Sequence, residues 1–301
     1  MSTSEERLLG SPDDFEEFIL AFDNPKFRAA ACELSDESEE FVQTSLDTYF
    51  SEMRFGYSFL NEHLPAGKLR ILEVGAGLGL LSIYLHKHGH DVVALEPAGL
   101  SFGLFAVTKN LIWNGEKATL PDLLEKTAEQ LDQESDGEFD FIFSINVMEH
   151  IEDIDMATDA ILSVLKCSGI CVNSCPNYLV PYEPHYAIPI VPFAPGMTKK
   201  IFLKKIQKQP DIWETLNFIS LPKVRQIAKR NNASVEFEKA LIYKSFKRLG
   251  EDEEFMSRHK DGLVGRMYRV LSLTRLLGLL KFLPPSLSTP MVFTYRLKRQ
   301  V

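Results

Sequence analysis

No stretch of 18 consecutive apolar residues occurs in the 301-residue chain, so no helix that spans a membrane is expected. The nearest approach, Val270–Leu283, is interrupted by Arg275 and Lys281. Arg266, Arg269, Arg275 and Lys281 do not share one helical face, which argues for a buried or substrate-facing helix over one lying on a membrane. Cysteine is scarce: Cys32, Cys167, Cys171 and Cys175. The last three follow a C-x3-C-x3-C spacing, but zinc sites use tighter pairs with histidine, so buried structural thiols are expected. An apolar leader is also missing, since Met1–Arg7 is polar and acidic, and free thiols in a cytoplasmic compartment follow as the expectation. Positive charge is short too. With 33 Lys and Arg against 42 Asp and Glu, the net charge of −9 excludes general nucleic-acid binding, which needs a basic surface.

The charge is unevenly placed. Residues 1–50 hold thirteen acids and three Lys or Arg, whereas residues 258–301 hold nine Lys or Arg and one acid, Asp261. Two readings stay open for the basic end: a solvated surface, or peripheral contact with an anionic membrane or a phosphate-bearing substrate. At 45% hydrophobic and 25% charged, the chain has the balance of a globular protein with a sizeable core.

Residues 1–64 read as a helical, acidic N-terminal cap, with Phe15, Phe18, Ile19 and Phe22 at helical spacing. From residue 65 the pattern changes. LRILEVG is a short buried strand, LGLLSIYLHKHG a helix, DVVALEP a second strand and Gly99–Trp113 a second helix. A weak third strand lies near Leu123–Ala128, FDFIFSINVMEHI is a strong fourth strand, Asp153–Leu165 a helix and GICVNSC a fifth strand. Strands alternating with helices of this length imply a doubly wound, mostly parallel α/β sheet. The alternation stops at Pro176. Six prolines between 176 and 195 predict a loop with fixed turns, part of an insertion near 177–220. Leu221–Asn231 then reads as a helix and SVEFEKAL as a strand. Residues 242–290 form a mixed, partly helical insertion, and MVFTYRLKR closes the chain as a strand.

The segment Glu73-Val-Gly75-Ala76-Gly77-Leu-Gly79 joins the first strand to its helix. Glycines there let the backbone turn sharply and come close to a ligand. A dinucleotide fingerprint starting at Gly75 needs glycine at position 80, where Leu80 stands. The pattern is instead E-x-G-x-G-x-G, with Glu73 placed to orient a cationic amino-acid group. Glu96, at the tip of the second strand and followed by Pro97, is placed to accept from two ribose hydroxyls.

LRILEVGAGLGLLSIYLHKHGHDVVALEP and GEFDFIFSINVMEHIEDIDMATDAILSVLKCSGICVNSCPN resemble motif I, the acidic loop and the later motifs of class I S-adenosylmethionine (SAM)-dependent methyltransferases. The resemblance covers residues 65–176. It implies a seven-stranded Rossmann-like sheet whose last strand is antiparallel, with SVEFEKAL and MVFTYRLKR as sixth and seventh strands. It further implies that Gly75, Ala76, Gly77 and Gly79 line the methionine and ribose side of SAM. Glu96 and Pro97 would lie at the ribose, Thr127 and Ala128 near the adenine, and Asn146 and Val147 beside the sulfonium. Arg54 is the candidate partner of the methionine carboxylate.

Transfer to a hydroxyl is helped by a base, and histidine suits neutral pH. His150 and His185 are the candidates. In the similar ubiquinone-biosynthesis O-methyltransferases a Glu stands where this chain has Asn146, next to a divalent metal; the departure argues against a metal here. His185 lies after the fifth strand, on the side where open α/β sheets bind ligands, together with Tyr182, Glu183 and Tyr186 as acceptor contacts. Tyr178 and Phe193 could floor the same pocket. The favoured reading is methyl transfer from SAM to a small-molecule or glycan acceptor, at oxygen. The basic tail admits an anionic or lipid-linked acceptor. A nicotinamide-dependent oxidoreductase and a SAM-binding protein without catalysis are the alternatives.

Overall fold

The computed structural model describes residues 8–97, 104–114, 120–191, 194–207, 210–251, 256 and 262–298. They form two compact units, Met1–Ile145 with Met156–Val172, and Asn146–Asp155 with Asn173–Val301.

The first unit opens with three helices, α1 (Pro12–Leu20), α2 (Pro25–Leu34) and α3 (Glu39–His63). Ser11 starts α1 with a reciprocal cap: its hydroxyl accepts from Asp14 N at 3.1 Å, and the Asp14 carboxylate accepts from Ser11 N at 2.8 Å. The expected apolar stripe is inward, with Phe15, Phe18 and Ile19 buried. Phe15 stacks on Tyr57 of α3, ring centroids 4.5 Å apart. Strand–helix alternation follows as β1 (Arg70–Val74), α4 (Leu80–Lys87), β2 (Asp91–Leu95), α5 (Leu104–Trp113), β3 (Asp122–Leu124), the single turn α6 (Gln133–Asp136) and β4 (Phe139–Ile145). Strand β1 pairs in parallel with β2 and with β4, and β2 in parallel with β3. Phe141, Ile142 and Phe143 are apolar at consecutive positions because both faces of a parallel sheet are covered.

Helix α7 (Ile154–Ser163) leads into β5 (Leu165–Cys175), which carries the chain into the second unit. The sheet has seven strands in the order β3-β2-β1-β4-β5-β9-β8, where β8 is Ala233–Phe237 and β9 is Met291–Leu297. Strands β8 and β9 are antiparallel. This is the Rossmann-like arrangement expected from the sequence. The order reverses between β1 and β4, the kind of switch point at whose carboxyl ends open α/β sheets bind ligands.

Several expectations are corrected. The proline-rich segment is not loop throughout: β6 (Tyr182–Glu183) and β7 (Ile188–Pro189) form a two-stranded antiparallel sheet. Pro195 then begins α8 (Pro195–Ile201), where a missing N–H costs nothing. Two short helices follow, α9 (Leu203–Ile206) and α10 (Pro210–Thr215), then α11 (Leu221–Arg230). Tyr186, Ile188, Ile206, Trp213 and Leu216 make a small core of their own. The strand expected across SVEFEKAL ends at Phe237. Ala240 takes a left-handed backbone (φ 61°), and α12 (Leu241–Glu251) begins.

The segment Val270–Leu283, expected as a buried or substrate-facing helix, is not a single helix. Helix α13 (Leu263–Leu273) stops where Arg275 turns left-handed (φ 58°), and a 3-10 stretch, Leu277–Phe282, follows. Leu273 and Phe282 are 85% and 83% exposed. Cys171 and Cys175 are buried as expected, but Cys167 is exposed near the start of β5, and all four thiols are free. Residues 98–103, where the second helix was expected to begin, and Phe193 lie outside the described residues.

Gly79 caps α4 in a left-handed conformation (φ 77°), and a Cβ there would lie 2.4 Å from the Trp113 ring. We predict that Gly79→Ala destabilises the chain by roughly 1–3 kcal/mol, from overpacking added to a backbone conformation that alanine disfavours. Denaturant titration checks it; an unchanged midpoint would contradict the packing described.

Candidate active site

In the first unit the site is built on the turn between β1 and α4. Gly75, Gly77 and Gly79 all have positive φ, at 70°, 56° and 77°. Gly75 N and Ala76 N donate to Leu95 O at 2.8 and 3.0 Å, which binds the turn to the end of β2. Trp113 Nε1 donates to Leu78 O at 2.9 Å. Above Gly77 the space is open: a Cβ would meet nothing nearer than the Phe105 ring at 4.0 Å. A backbone bared in this way is what a ligand needs for close approach.

Two carboxylates flank the turn. Glu96 follows β2, and its Oε2 accepts from Gly77 N at 2.9 Å. Burial pushes its pKa up, against the lowering effects of that hydrogen bond and of Lys109. Glu73, inside β1, is buried and accepts from Ser82 Oγ at 2.5 Å. Burial pushes Glu73 up to about 8, so at neutral pH most of it holds its proton. A cationic group brought alongside would favour its ionised form.

Tyr49, on α3, packs edge-on against Phe105 at 5.8 Å. Burial, and then the charges of Glu52 and Glu96, raise it to about 12. Pro97 is half-buried beside Glu96. Thr127, exposed, precedes a 3-10 turn that begins at the buried Ala128. Arg54 is taken up by Glu16 through contacts of 2.9 and 2.6 Å, with Asp23 at 3.7 Å. This ion pair engages the guanidinium expected to meet the methionine carboxylate.

In the second unit the chain leaves β4 through Asn146, which has a left-handed backbone (φ 55°) that asparagine tolerates. Val147 then leads into the 3-10 turn Met148–His150. Asn217 clamps this turn: its Nδ2 donates to Met148 O at 2.7 Å and Ile151 O at 2.8 Å, and its N–H to Glu149 O at 2.9 Å. His150 Nδ1 lies 2.8 Å from Thr215 Oγ1. Since the Thr215 hydroxyl donates to Ile212 O, its oxygen accepts from Nδ1, which leaves the lone pair on Nε2. Burial, with the nearby His185, lowers His150 to about 4, so the ring is neutral at neutral pH.

Glu183 is fully buried. Its Oε1 accepts from His185 Nδ1 at 2.5 Å and from the Tyr178 hydroxyl at 3.2 Å, and its Oε2 accepts from Tyr186 N at 2.8 Å. Burial and Glu183 push the Tyr178 hydroxyl far up, so it remains a donor. With its proton on Nδ1, His185 carries its lone pair on Nε2. The rings of His150 and His185 meet edge-on, centroids 5.2 Å apart. Donor atoms of Glu149, His150 and His185 lie within 4.8 Å of one another, a mixed set of the kind that divalent ions use. Tyr182 is half-buried, and burial raises its hydroxyl. Glu183 and Tyr186, expected as acceptor contacts, are instead buried supports; the Tyr186 ring packs near Trp213 at 6.1 Å.

Comparison with known proteins identifies the family. Residues 37–235 match the family described as Methyltransferase domain. The chain belongs to the methyltransferase-domain family. It is a SAM-dependent methyltransferase of the class I fold, and the nicotinamide alternative falls. An uncharacterized protein of Mycobacterium tuberculosis is 34% identical over 233 residues, 74% of this chain and 78% of the relative. The ubiquinone biosynthesis O-methyltransferase of Agrobacterium fabrum is 31% identical over 108 residues, 36% of this chain and 41% of that enzyme. A solved SAM-dependent methyltransferase from Mesorhizobium loti shares the fold with a TM-score of 0.50 at 16% identity, covering 80% of this chain and 96% of that one.

Tyr49, Thr215 and Asn217 were not singled out in the sequence. Each lies far along the chain from the motif it supports, and nothing in its local spacing marks it.

Two outcomes are expected. The folded chain keeps the Glu73 proton up to about pH 8 and the unfolded chain releases it near 4.5, so this group's contribution to stability falls as pH rises through that window. The slope reaches about 1.4 kcal/mol per pH unit, and Glu73→Gln flattens it. Equal pH profiles for wild type and variant in denaturant titrations would contradict the shifted proton. If Glu96 accepts from a bound ribose as the sequence led us to expect, Glu96→Ala weakens SAM binding by roughly 1–3 kcal/mol, the cost of stranding hydrogen-bonding partners; unchanged calorimetric affinity would contradict that expectation.

Proposed function

We propose that this methyltransferase moves the methyl group to an oxygen of a small-molecule or glycan acceptor, with His185 as general base. The contact that carries this reading is His185 Nδ1 to the buried Glu183 carboxylate, 2.5 Å. It fixes one tautomer and steadies the ring when the other nitrogen takes a proton, the logic by which a buried carboxylate supports a histidine base.

Glu73, Gly75, Ala76, Gly77, Gly79, Glu96 and Pro97 hold SAM in this proposal, with Thr127 and Ala128 on the adenine side and Asn146 and Val147 assigned to the sulfonium. Bound SAM supplies a methyl group on a cationic sulfur with a neutral thioether as leaving group. His185 Nε2 takes the hydroxyl proton of the acceptor, Glu183 holds the resulting imidazolium, and the Tyr178 hydroxyl keeps Glu183 in place. His150, neutral and anchored by Thr215, sits beside His185 and shapes the site. Tyr182 lies on the acceptor side. Residues 1–64 act as the cap, and the segments near 177–220 and 242–290 as acceptor-side insertions. The proposal sets the protein in the cytoplasm, with the basic C-terminal region as its point of peripheral membrane contact.

The test is a screen of hydroxyl-bearing small molecules and sugars with labelled SAM, the modified atom being located in the product by NMR. On an accepted substrate His185→Ala is expected to lower kcat roughly a hundredfold or more while SAM affinity stays unchanged. Glu183→Gln should lower kcat by less. Dialysis against a chelator should leave turnover intact. Methylation at nitrogen or carbon with His185→Ala fully active would end the proposal. Loss on chelation, restored by a divalent metal, would reassign His185, His150 and Glu149 as ligands.

A further inference from the structure

The segment from α13 to Leu287 turns apolar side chains outward. Met267, Val270 and Leu273 recur every third residue along α13, and Val270 and Leu273 are 59% and 85% exposed. Beyond the break at Arg275 the exposure continues with Leu276, Leu279, Phe282 and Leu287; Leu279 is 60% and Phe282 83% exposed. Scattered single apolar residues on a surface need no explanation, but a run of this length does.

Charge decides the occupant. Arg266, Arg269, Arg275 and Lys281 are interleaved with the apolar positions, and no Asp or Glu occurs anywhere from Gly262 to the end of the sequence. Arg266, Arg269, Arg275 and Lys281 are all exposed. The Lys281 ammonium lies over the Tyr243 ring, 4.4 Å from its centroid. Large aliphatic tips with cations between them, and no acid within the segment itself, match an anionic lipid interface, where acyl chains take up the apolar groups and headgroup phosphates the cations. The acidic N-terminal region of a second copy is the rival occupant. Its acids are in part already engaged: Asp23 and Asp47 with Arg28, and Glu16 with Arg54.

We infer that Leu263–Phe282 is a docking element for an anionic bilayer, in which Val270, Leu273, Leu279 and Phe282 enter the interface and Arg266, Arg269 and Arg275 meet lipid phosphates. The segment breaks at Arg275 into a helix and a 3-10 stretch, so the cations do not lie around one straight helix. This deepens the membrane contact named in the preceding proposal and is independent of the methyl acceptor, so failure here leaves the His185 reading standing.

The experiment is flotation of the full chain with vesicles of phosphatidylcholine alone or mixed with phosphatidylglycerol, with Leu273→Glu/Phe282→Glu alongside. The wild type should float with the mixed vesicles and not with pure phosphatidylcholine, and release should follow added salt. The double variant should bind at least about tenfold more weakly, the loss expected when exposed anions face anionic lipid, with unchanged circular dichroism and SAM affinity. Absence of wild-type binding to the anionic vesicles would overturn the inference, as would a double variant that binds equally well. So would a lipid-free dimer, seen by light scattering, that the double substitution dissolves while lipid binding is absent.

Discussion

A five-residue turn governs the first unit. Between β1 and α4 the chain must reverse from strand to helix and keep its backbone exposed to a ligand, and three left-handed glycines at 75, 77 and 79 meet both demands. The turn is held from three sides: Leu95 O accepts two of its amides, Glu96 takes the Gly77 N–H, and Trp113 closes over Gly79. The same geometry that fixes the turn therefore fixes the carboxylate assigned to the ribose. Glu73 adds a buried group whose pKa burial raises to about 8, and a cation brought alongside it would favour the ionised form.

The second unit depends on a different constraint, a buried carboxylate that must be satisfied. Glu183 has no exposed surface, and it draws in His185, Tyr178 and the Tyr186 amide. Asn177, also buried, does comparable work at the start of the insertion. Its Oδ1 accepts from Leu179 N and Leu221 N, and its Nδ2 donates to Ser286 O and Ser288 O. Two buried polar side chains thus give a proline-rich segment a definite shape. The outcome is a histidine with a set tautomer rather than a histidine on a free loop.

The elements legible in the sequence were those whose signal is local and repeated. Short apolar runs marked β1, β2 and β4, the first of them ending in glycine, and apolar residues at helical spacing marked α1 and α7. The glycine turn and Glu96 were legible because ligand approach restricts residue type at fixed offsets. Where a single residue decides, reading failed. Ala240 and Arg275 take left-handed conformations that their side chains do not announce, so SVEFEKAL was read as strand throughout and Val270–Leu283 as one buried or substrate-facing helix. The proline run hid a hairpin because proline excludes helix but not a short edge strand such as Ile188–Pro189.

By itself the sequence determined the parallel sheet, the glycine turn and the family, since periodicity and glycine spacing are properties of neighbouring residues. Only the tertiary structure decided the rest. It gave Arg54 to Glu16, made Glu183 a buried support rather than an acceptor contact, joined Thr215 and Asn217 to the 148–151 turn, and left Leu273 and Phe282 in the open. Burial and partnership depend on which distant segments meet, and no spacing along the chain encodes that.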